Sequence, residues 1–385
     1  MHQTVFSQIC DLIPIRSFQR IVAKHNGDHR VKKLSSWSQL LCMVFAQLSN
    51  RFSLRDIVSC LDAKKNELYR IGIRSRVART TLADANERRS SVIFKELAHI
   101  LMKQAGKHYV NDQFIHELKE AVYIMDSTQI ALCRHLCPWA HAHNTGGTVK
   151  IHTLLQAHGS IPAFIAISDS KYRDNMMLDN IQIEPGTFYI MDKGYFDLSR
   201  LYSINQKKGY FVVRLKKKVR TDTIQRLPHE QSTGVIKDCI IKFTGAVGAK
   251  KYLDTARKIV FVDPESKRKL VFITNNFTCE PHIIAEAYRR RWDIEVFFRW
   301  LKQNLRIKKF YGTSLNAVET QIWCAFIAYL LVAILKKRYR IKQPVQRILQ
   351  ILSISLFEKT PINALFFQQN GSVLHSHQSK QLILL

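Results

Sequence analysis

The stretch TFYIMDKGYFDLSRLYSINQKKGYFVVRL, residues 187–215, decides the fold. Its ends, TFYIMDKG (187–194) and GYFVVRL (209–215), are rich in β-branched and aromatic residues with glycine alongside, so each reads as a strand. The middle, FDLSRLYSINQKKG, carries apolar residues at helical spacing. Strand, helix, strand predicts an α/β chain built on a mixed sheet. Upstream, AVYIMDSTQIAL (121–132), VKIHTLLQA (149–157) and IPAFIAIS (161–168) add further strands. Downstream, residues 216–275 have no long helical period; KYLDTARKIVFVD and KLVFITNN flank the turn PESK and read as a small β insertion. Helices resume at about residue 281. The first 75 residues read as basic and helical. There SSWSQLLCMVFAQLSN and RFSLRDIVSCLDAK form a pair of short amphipathic helices suited to a DNA-binding unit. A longer helix, residues 80–105, carries Arg88 and Arg89.

Charge bounds the partner. Of 385 residues, 59 are Lys or Arg against 30 Asp or Glu, a net charge of +29, with a pI near 9.9. That excess points to a polyanion, nucleic acid first and an anionic membrane surface as the rival. The longest apolar run, IWCAFIAYLLVAIL (322–335), has fourteen residues. It falls short of the roughly 20 needed to cross a bilayer and reads as a buried core helix. The opening MHQTVFSQICDLIPIR has no long apolar segment, so no signal peptide is expected. Eight scattered cysteines then read as reduced cytoplasmic thiols. Cys133, Cys137, His141 and His143 are zinc-type ligands, but their spacing fits no common zinc module and reads as incidental.

The acids carry the chemistry. YIMD occurs twice, at 123–126 and 189–192. Asp126 lies inside a hydrophobic strand, where an unpaired carboxylate is costly. Asp192 ends its strand. A third acid, Glu295, lies in AYRRRWDIEVFFRWLK (287–302). No Gly or Pro interrupts Ile283 to Tyr311, so one helix is expected there, with Thr278 as N-cap and Pro281 in its first turn. Helical spacing places Tyr288, Arg291, Glu295, Arg299 and Lys302 on one polar stripe. Ile294, Val296, Phe297, Phe298, Trp300 and Leu301 fall on an apolar side. Glu295 is either a surface salt-bridge partner of Arg291 and Lys302 or the third member of a set with Asp126 and Asp192. Three hard-oxygen groups suit Mg²⁺. Two such ions activate a water or 3′-hydroxyl and stabilise the leaving oxygen of a phosphodiester. Tyr288, Arg291, Arg299 and Lys302 would then grip phosphates. RLKKKVR (214–220), with Lys216, Lys217 and Lys218, reads as a DNA-backbone track or a solvated run. Lys150 and His152 follow Asp126 on the next strand and either face the site or, for the histidine, serve the core.

Tyr288, Arg291, Glu295 and Lys302, spaced by two, three and six residues, resemble the Y-REK signature of bacterial insertion-sequence transposases of the DDE class, insertion sequence family four. Asp126 and Asp192 stand where that family's two catalytic Asp are expected. FDLSRL and WDIEVFFRWLKQNL also resemble this group, and the likeness spans about residues 5–340. The resemblance implies an α/β, ribonuclease H-like mixed sheet flanked by helices, interrupted by a β insertion and preceded by a helical domain. The expected division is an N-terminal DNA-binding domain (1–75), a helical connection (76–115), a catalytic first part (116–215), the insertion (216–275), a second catalytic part with the Y-REK helix (276–345) and a tail (346–385) for a dimer or partner contact. It implies cut-and-paste transposition with Mg²⁺ or Mn²⁺, two ions at Asp126, Asp192 and Glu295. It also implies double-stranded DNA partners (terminal inverted repeats and target), a homodimer in the synaptic complex, and a bacterial, nucleoid-associated cytoplasmic location without a membrane. Tyr288, Arg291 and Lys302 would touch the phosphate near the cleaved end, with Trp292 beside them. Relatives that hairpin their ends can hold a flipped base on an aromatic residue of the insertion. Here the insertion has no Trp, only Tyr252, Phe243, Phe261 and Phe272, which leaves the hairpin step open. A non-catalytic DNA binder and a metal-dependent nuclease are the alternatives.

Overall fold

The computed structural model describes residues 3–109, 118, 120–132, 147–245, 248–305, 307 and 310–367. Cys133, Cys137, His141 and His143 lie outside them. Helices α1 (Val5–Cys10), α2 (Ile15–Lys24), α3 (Ser36–Leu48), α4 (Leu54–Asp62), α5 (Lys65–Tyr69), α6 (Arg79–Arg88) and α7 (Val92–Tyr109) precede the sheet. The strands are β1 (Val122–Leu132), β2 (Gly147–Gln156), β3 (Ile161–Asp169), β4 (Phe188–Met191), β5 (Tyr210–Arg214), β6 (Thr221–Arg226), β7 (Val235–Phe243), β8 (Ala256–Val262) and β9 (Lys269–Thr274). Helix α8 (Leu198–Gln206) links β4 to β5, and the short α9 (Gly248–Lys251) lies between β7 and β8. Then come α10 (Pro281–Arg289), α11 (Trp292–Asn304), α12 (Leu315–Arg338), α13 (Val345–Ser355) and α14 (Ile362–Phe367).

The described strands form one sheet in the order β3-β2-β1-β4-β5-β9-β8-β7-β6. Strand β4 pairs in parallel with β1 and β5, and the other pairings are antiparallel. The first five strands give the expected ribonuclease H-like mixed sheet. The β insertion continues that sheet: β9 returns to pair with β5, Val213 opposite Ile273. β4, FYIM, is buried at every residue, as a parallel strand covered on both faces should be. The link from α8 to β5 needs Gly209, since a Cβ there would come within 2.7 Å of Ile183.

The sheet separates two cores. One holds Met125, Met191, Leu201, Phe211, Phe243 and Tyr252. The larger runs from Val5 to Phe366 and centres on α12. The apolar run 322–335 is thus a core helix, as expected, though α12 is longer than the run. By length and composition α12 is also apolar enough to span a membrane, but 94% of its apolar window is buried inside the protein. Helix α3 packs against α12 and α13 and is buried everywhere except Trp37. It offers no face to a DNA groove, whereas α4 is amphipathic as read, burying Leu54, Ile57 and Leu61 and exposing Arg55 and Ser59.

The single helix expected over 283–311 is two. At the joint, the N–H groups of Arg291, Asp293 and Ile294 bond carbonyls three residues back, at Tyr288, Arg290 and Arg291. Helix α11 then ends at Asn304 because Leu305 turns extended (φ −114°, ψ 149°). Thr278 is not the cap. Its N–H bonds Asn276 Oδ1 (3.2 Å), and Glu280 precedes Pro281 at the helix start. The buried face of α11 is Ile294, Phe297, Phe298 and Leu301; Val296 lies off it and is exposed.

Candidate active site

Parallel pairing of β1 with β4 sets Met125 opposite Met191, so Asp126, within β1, lies beside Asp192, which follows the carboxyl end of β4. Such strand ends are where open α/β sheets place their sites. The joint between α10 and α11 lies against them. Arg291 Nη1 donates to Asp126 Oδ2 (3.2 Å) and its Nη2 to Glu295 Oε1 (2.6 Å). The Tyr288 hydroxyl donates to Asp192 Oδ1 (3.4 Å). Burial pushes that phenol up to about 12, so it stays a donor. Its ring packs on Phe272, centroids 4.7 Å apart. Burial raises Asp126 to about 6; the Ser127 N–H and Arg291 pull it down, and the charges of Asp192 and Glu295 push it up. Asp126 thus senses both other acids. A second acid in the same helix, Asp293, is taken by Arg290 (3.2 Å).

Behind Asp126 lies a polar cluster. Asp174 Oδ1 accepts from the Ser127 hydroxyl (2.7 Å) and lies 3.2 Å from Lys150 Nζ, which also donates to the Tyr172 carbonyl (2.9 Å). His152 Nε2 is 2.9 Å from the Ser168 hydroxyl. Desolvation lowers His152 to about 4, so the ring is neutral. Lys150 and His152 are both buried: Lys150 neutralises Asp174 and presents no free ammonium to DNA, and His152 takes the core alternative. Asp174 itself escaped the sequence reading. Nothing in its segment marks it among loop acids, and only the β1–β2–β3 pairing brings it beside Ser127.

Of the other basic candidates, Arg299 is exposed, Lys302 is half-buried and Trp292 is 52% exposed. Lys217 and Lys218 are exposed in the turn after β5, while Lys216 Nζ donates to the Phe196 carbonyl (2.8 Å). Among the described residues no three His, Cys, Asp or Glu side chains form a ready-made metal-holding group. The Arg291 guanidinium instead supplies the positive charge shared by Asp126 and Glu295. Carboxylate oxygens alone are the chemistry a hard divalent cation takes, and one of the three, Asp126, is raised by burial and further by the charges of Asp192 and Glu295.

A family model described as a transposase DDE domain matches residues 117–331, and one for a domain of unknown function matches residues 1–74. A putative transposase of Sinorhizobium fredii is 31% identical over 288 residues, 74% of this chain and 79% of the relative. A probable transposase for an insertion sequence element of Geobacillus stearothermophilus is 31% identical over 212 residues, 54% of this chain and 55% of that one. Among solved structures, a piggyBac transposase synaptic complex with hairpin DNA aligns with 96% of this chain and 81% of its own, at 9% identity and a TM-score of 0.46. The chain belongs to the DDE transposases, enzymes that act on DNA. Within them, assignment to insertion sequence family four fits its relatives.

Proposed function

We propose that this transposase moves an insertion sequence by cut-and-paste, with Asp126, Asp192 and Glu295 holding two Mg²⁺ or Mn²⁺ ions. One observation supports this most: side chains from β1 and α11 meet at Arg291, while the Tyr288 hydroxyl, one turn earlier, reaches Asp192, the residue after β4. Bound there, the ions would activate a water or a 3′-hydroxyl and stabilise the leaving oxygen. The chain's own groups do the rest. Tyr288 holds Asp192 through its phenol. Arg291 exchanges its carboxylates for a phosphate, which its planar fork also fits. Arg299, Lys302 and the exposed Trp292 grip the strand beside the cleaved end. The substrates are double-stranded terminal repeats and target DNA, brought together by a homodimer in the bacterial cytoplasm. The proposal includes no base held by the insertion: Phe243, Tyr252 and Phe272 are buried and Phe261 is half-buried.

The test uses purified protein, Mg²⁺ and the inverted repeats that flank its gene. Glu295→Gln should lower cleavage by about 10³-fold or more, because several kcal/mol of charge stabilisation are lost. DNA binding should persist or tighten. Near-normal cutting by that variant would leave Glu295 a salt-bridge partner of Arg291. Cutting by the unmodified protein without joining of 3′-ends to target would mark a nuclease.

A further inference from the structure

Between α2 and α3 the chain reads HNGDHRVKKLS, residues 25–35. A cleft of about 680 Å³ lies between this loop and the end of α6, lined by His29, Arg30, Lys32, Lys33 and Arg88 among others. A run of exposed cations is ordinarily a solvated face. Three observations set this one apart.

The loop is clamped. The buried guanidinium of Arg89 donates through Nε to the Gly27 carbonyl (2.9 Å) and through Nη2 to the Leu34 carbonyl (2.7 Å), fixing both ends. Its Nη1 donates to Gln39 Oε1 (2.5 Å). Asp28 Oδ1 accepts the Ser36 N–H (2.6 Å) and hydroxyl (2.8 Å). Gly27 leaves no room for a side chain, since a Cβ would lie 2.5 Å from Ile93. Holding a buried arginine in this role costs desolvation, which a free surface loop does not require.

The loop is also strained. Arg30 has φ 55°, in the left-handed region. A residue with a Cβ is unfavourable there, and such strain gathers where a side chain's position is used. Finally, the cations are unclaimed. Lys24, at the end of α2, and Arg88, in the cleft wall, each pair with an acid. Arg30, Lys32 and Lys33, all exposed, have no acidic partner among the described residues.

We propose that this cleft is a duplex-DNA backbone site, separate from the catalytic acids, in which Arg30, Lys32 and Lys33 each neutralise a phosphate. Arg88 adds a fourth contact by exchanging Asp84, 2.7 Å away, for phosphate. The inference rests on the reading of the chain as a transposase that binds double-stranded DNA. It also relocates DNA contact in the N-terminal region from helix α3, which is buried, to a loop that is rigid and exposed.

The experiment is a salt titration of DNA binding by the full chain on two duplexes of equal length. One carries the flanking inverted repeats and the other is unrelated. Replacing Arg30, Lys32 and Lys33 together by Gln should reduce the log–log salt slope by about 2.7, at about 0.9 per phosphate. Both duplexes should weaken alike, by roughly 10²-fold at 0.15 M salt, because phosphates carry no sequence. The charge-keeping set Arg30→Lys, Lys32→Arg and Lys33→Arg should retain the original slope. An unchanged slope in the Gln variant, or a loss confined to the repeat duplex, overturns the proposal. Absence of salt-dependent binding in the unmodified protein overturns the wider reading instead. Should the triple variant melt early, the single changes Lys32→Gln and Lys33→Gln decide, each expected to lower the slope by about 0.9.

Discussion

Arg291 donates to two carboxylates at once, and its removal leaves Asp126 and Glu295 sharing a partly buried space without counter-charge. Arg291→Ala should therefore destabilise the protein in chelator by on the order of 2 kcal/mol, and Mg²⁺ should restore much of that loss. Thermal melting with and without Mg²⁺ checks this. An equal loss in both conditions would count against Asp126 and Glu295 as metal ligands. His152 gives a pH signature. Its pKa falls from the ordinary 6.5 to about 4 in the fold, mainly by desolvation, with Asp174 opposing and Lys150 assisting. The unfolded chain takes up the proton first, so this part of the stability is complete above pH 6.5. It is lost as pH falls towards 4, by at most about 3 kcal/mol. His152→Gln should flatten the acid limb of a denaturation–pH curve over that window, and an unaltered limb would refute the assignment. At this scale the sequence was readable where chemistry clashed with setting: a carboxylate in YIMD, and Glu295 amid arginines. It was silent on Asp174 and on the direction of Arg291. Both depend on which strand lies beside which.

Among elements, the insertion is tied to the helices that bear Tyr288 and Glu295. Asp238 on β7 and Arg257 on β8 form a buried bidentate pair, with Arg257 Nε 2.9 Å from Oδ1 and Nη2 2.6 Å from Oδ2. The same guanidinium donates through Nη1 to the carbonyls of Cys279 (2.6 Å) and Asn276 (3.3 Å), just before α10. Asp238→Ala strands a buried cation and should cost about 3–5 kcal/mol in chemical denaturation. Adding Arg257→Leu should recover only part of it, because two carbonyls lose their donor. Full recovery would show that the link to α10 contributes nothing. Strands of the insertion were legible from their β-branched runs, as was its place before the Y-REK segment. The break at Arg290–Arg291 was not, since no Gly or Pro marks it. The bonds of Arg291 to Asp126 and Glu295 are tertiary, and local spacing carries no trace of them.

Over the whole molecule, charge named the class of partner and the apolar run 322–335 named the central helix. What that helix would be packed against was hidden, because an unbroken apolar run shows that a helix is buried on all sides and not by what. In the fold, α1 lies against the far end of the chain: Val5 and Phe6 donate to the carbonyls of Glu358 and Leu356. Leu356, Ile362 and Phe366 belong to the same core as Val5 and Phe6. Truncation after Ser355 should thus cost several kcal/mol, at about 1.5–3 kcal/mol per buried side chain. It should open the first 75 residues to limited proteolysis, and an unchanged digestion pattern would contradict the shared core. The pairing also sets a clock. About 350 residues separate the two partners, and a ribosome adds about 5–20 residues per second. The amino-terminal helix of each new chain therefore waits on the order of 20–70 s for the segment that covers it. Its yield in a cell is governed by what shields those apolar faces during the wait.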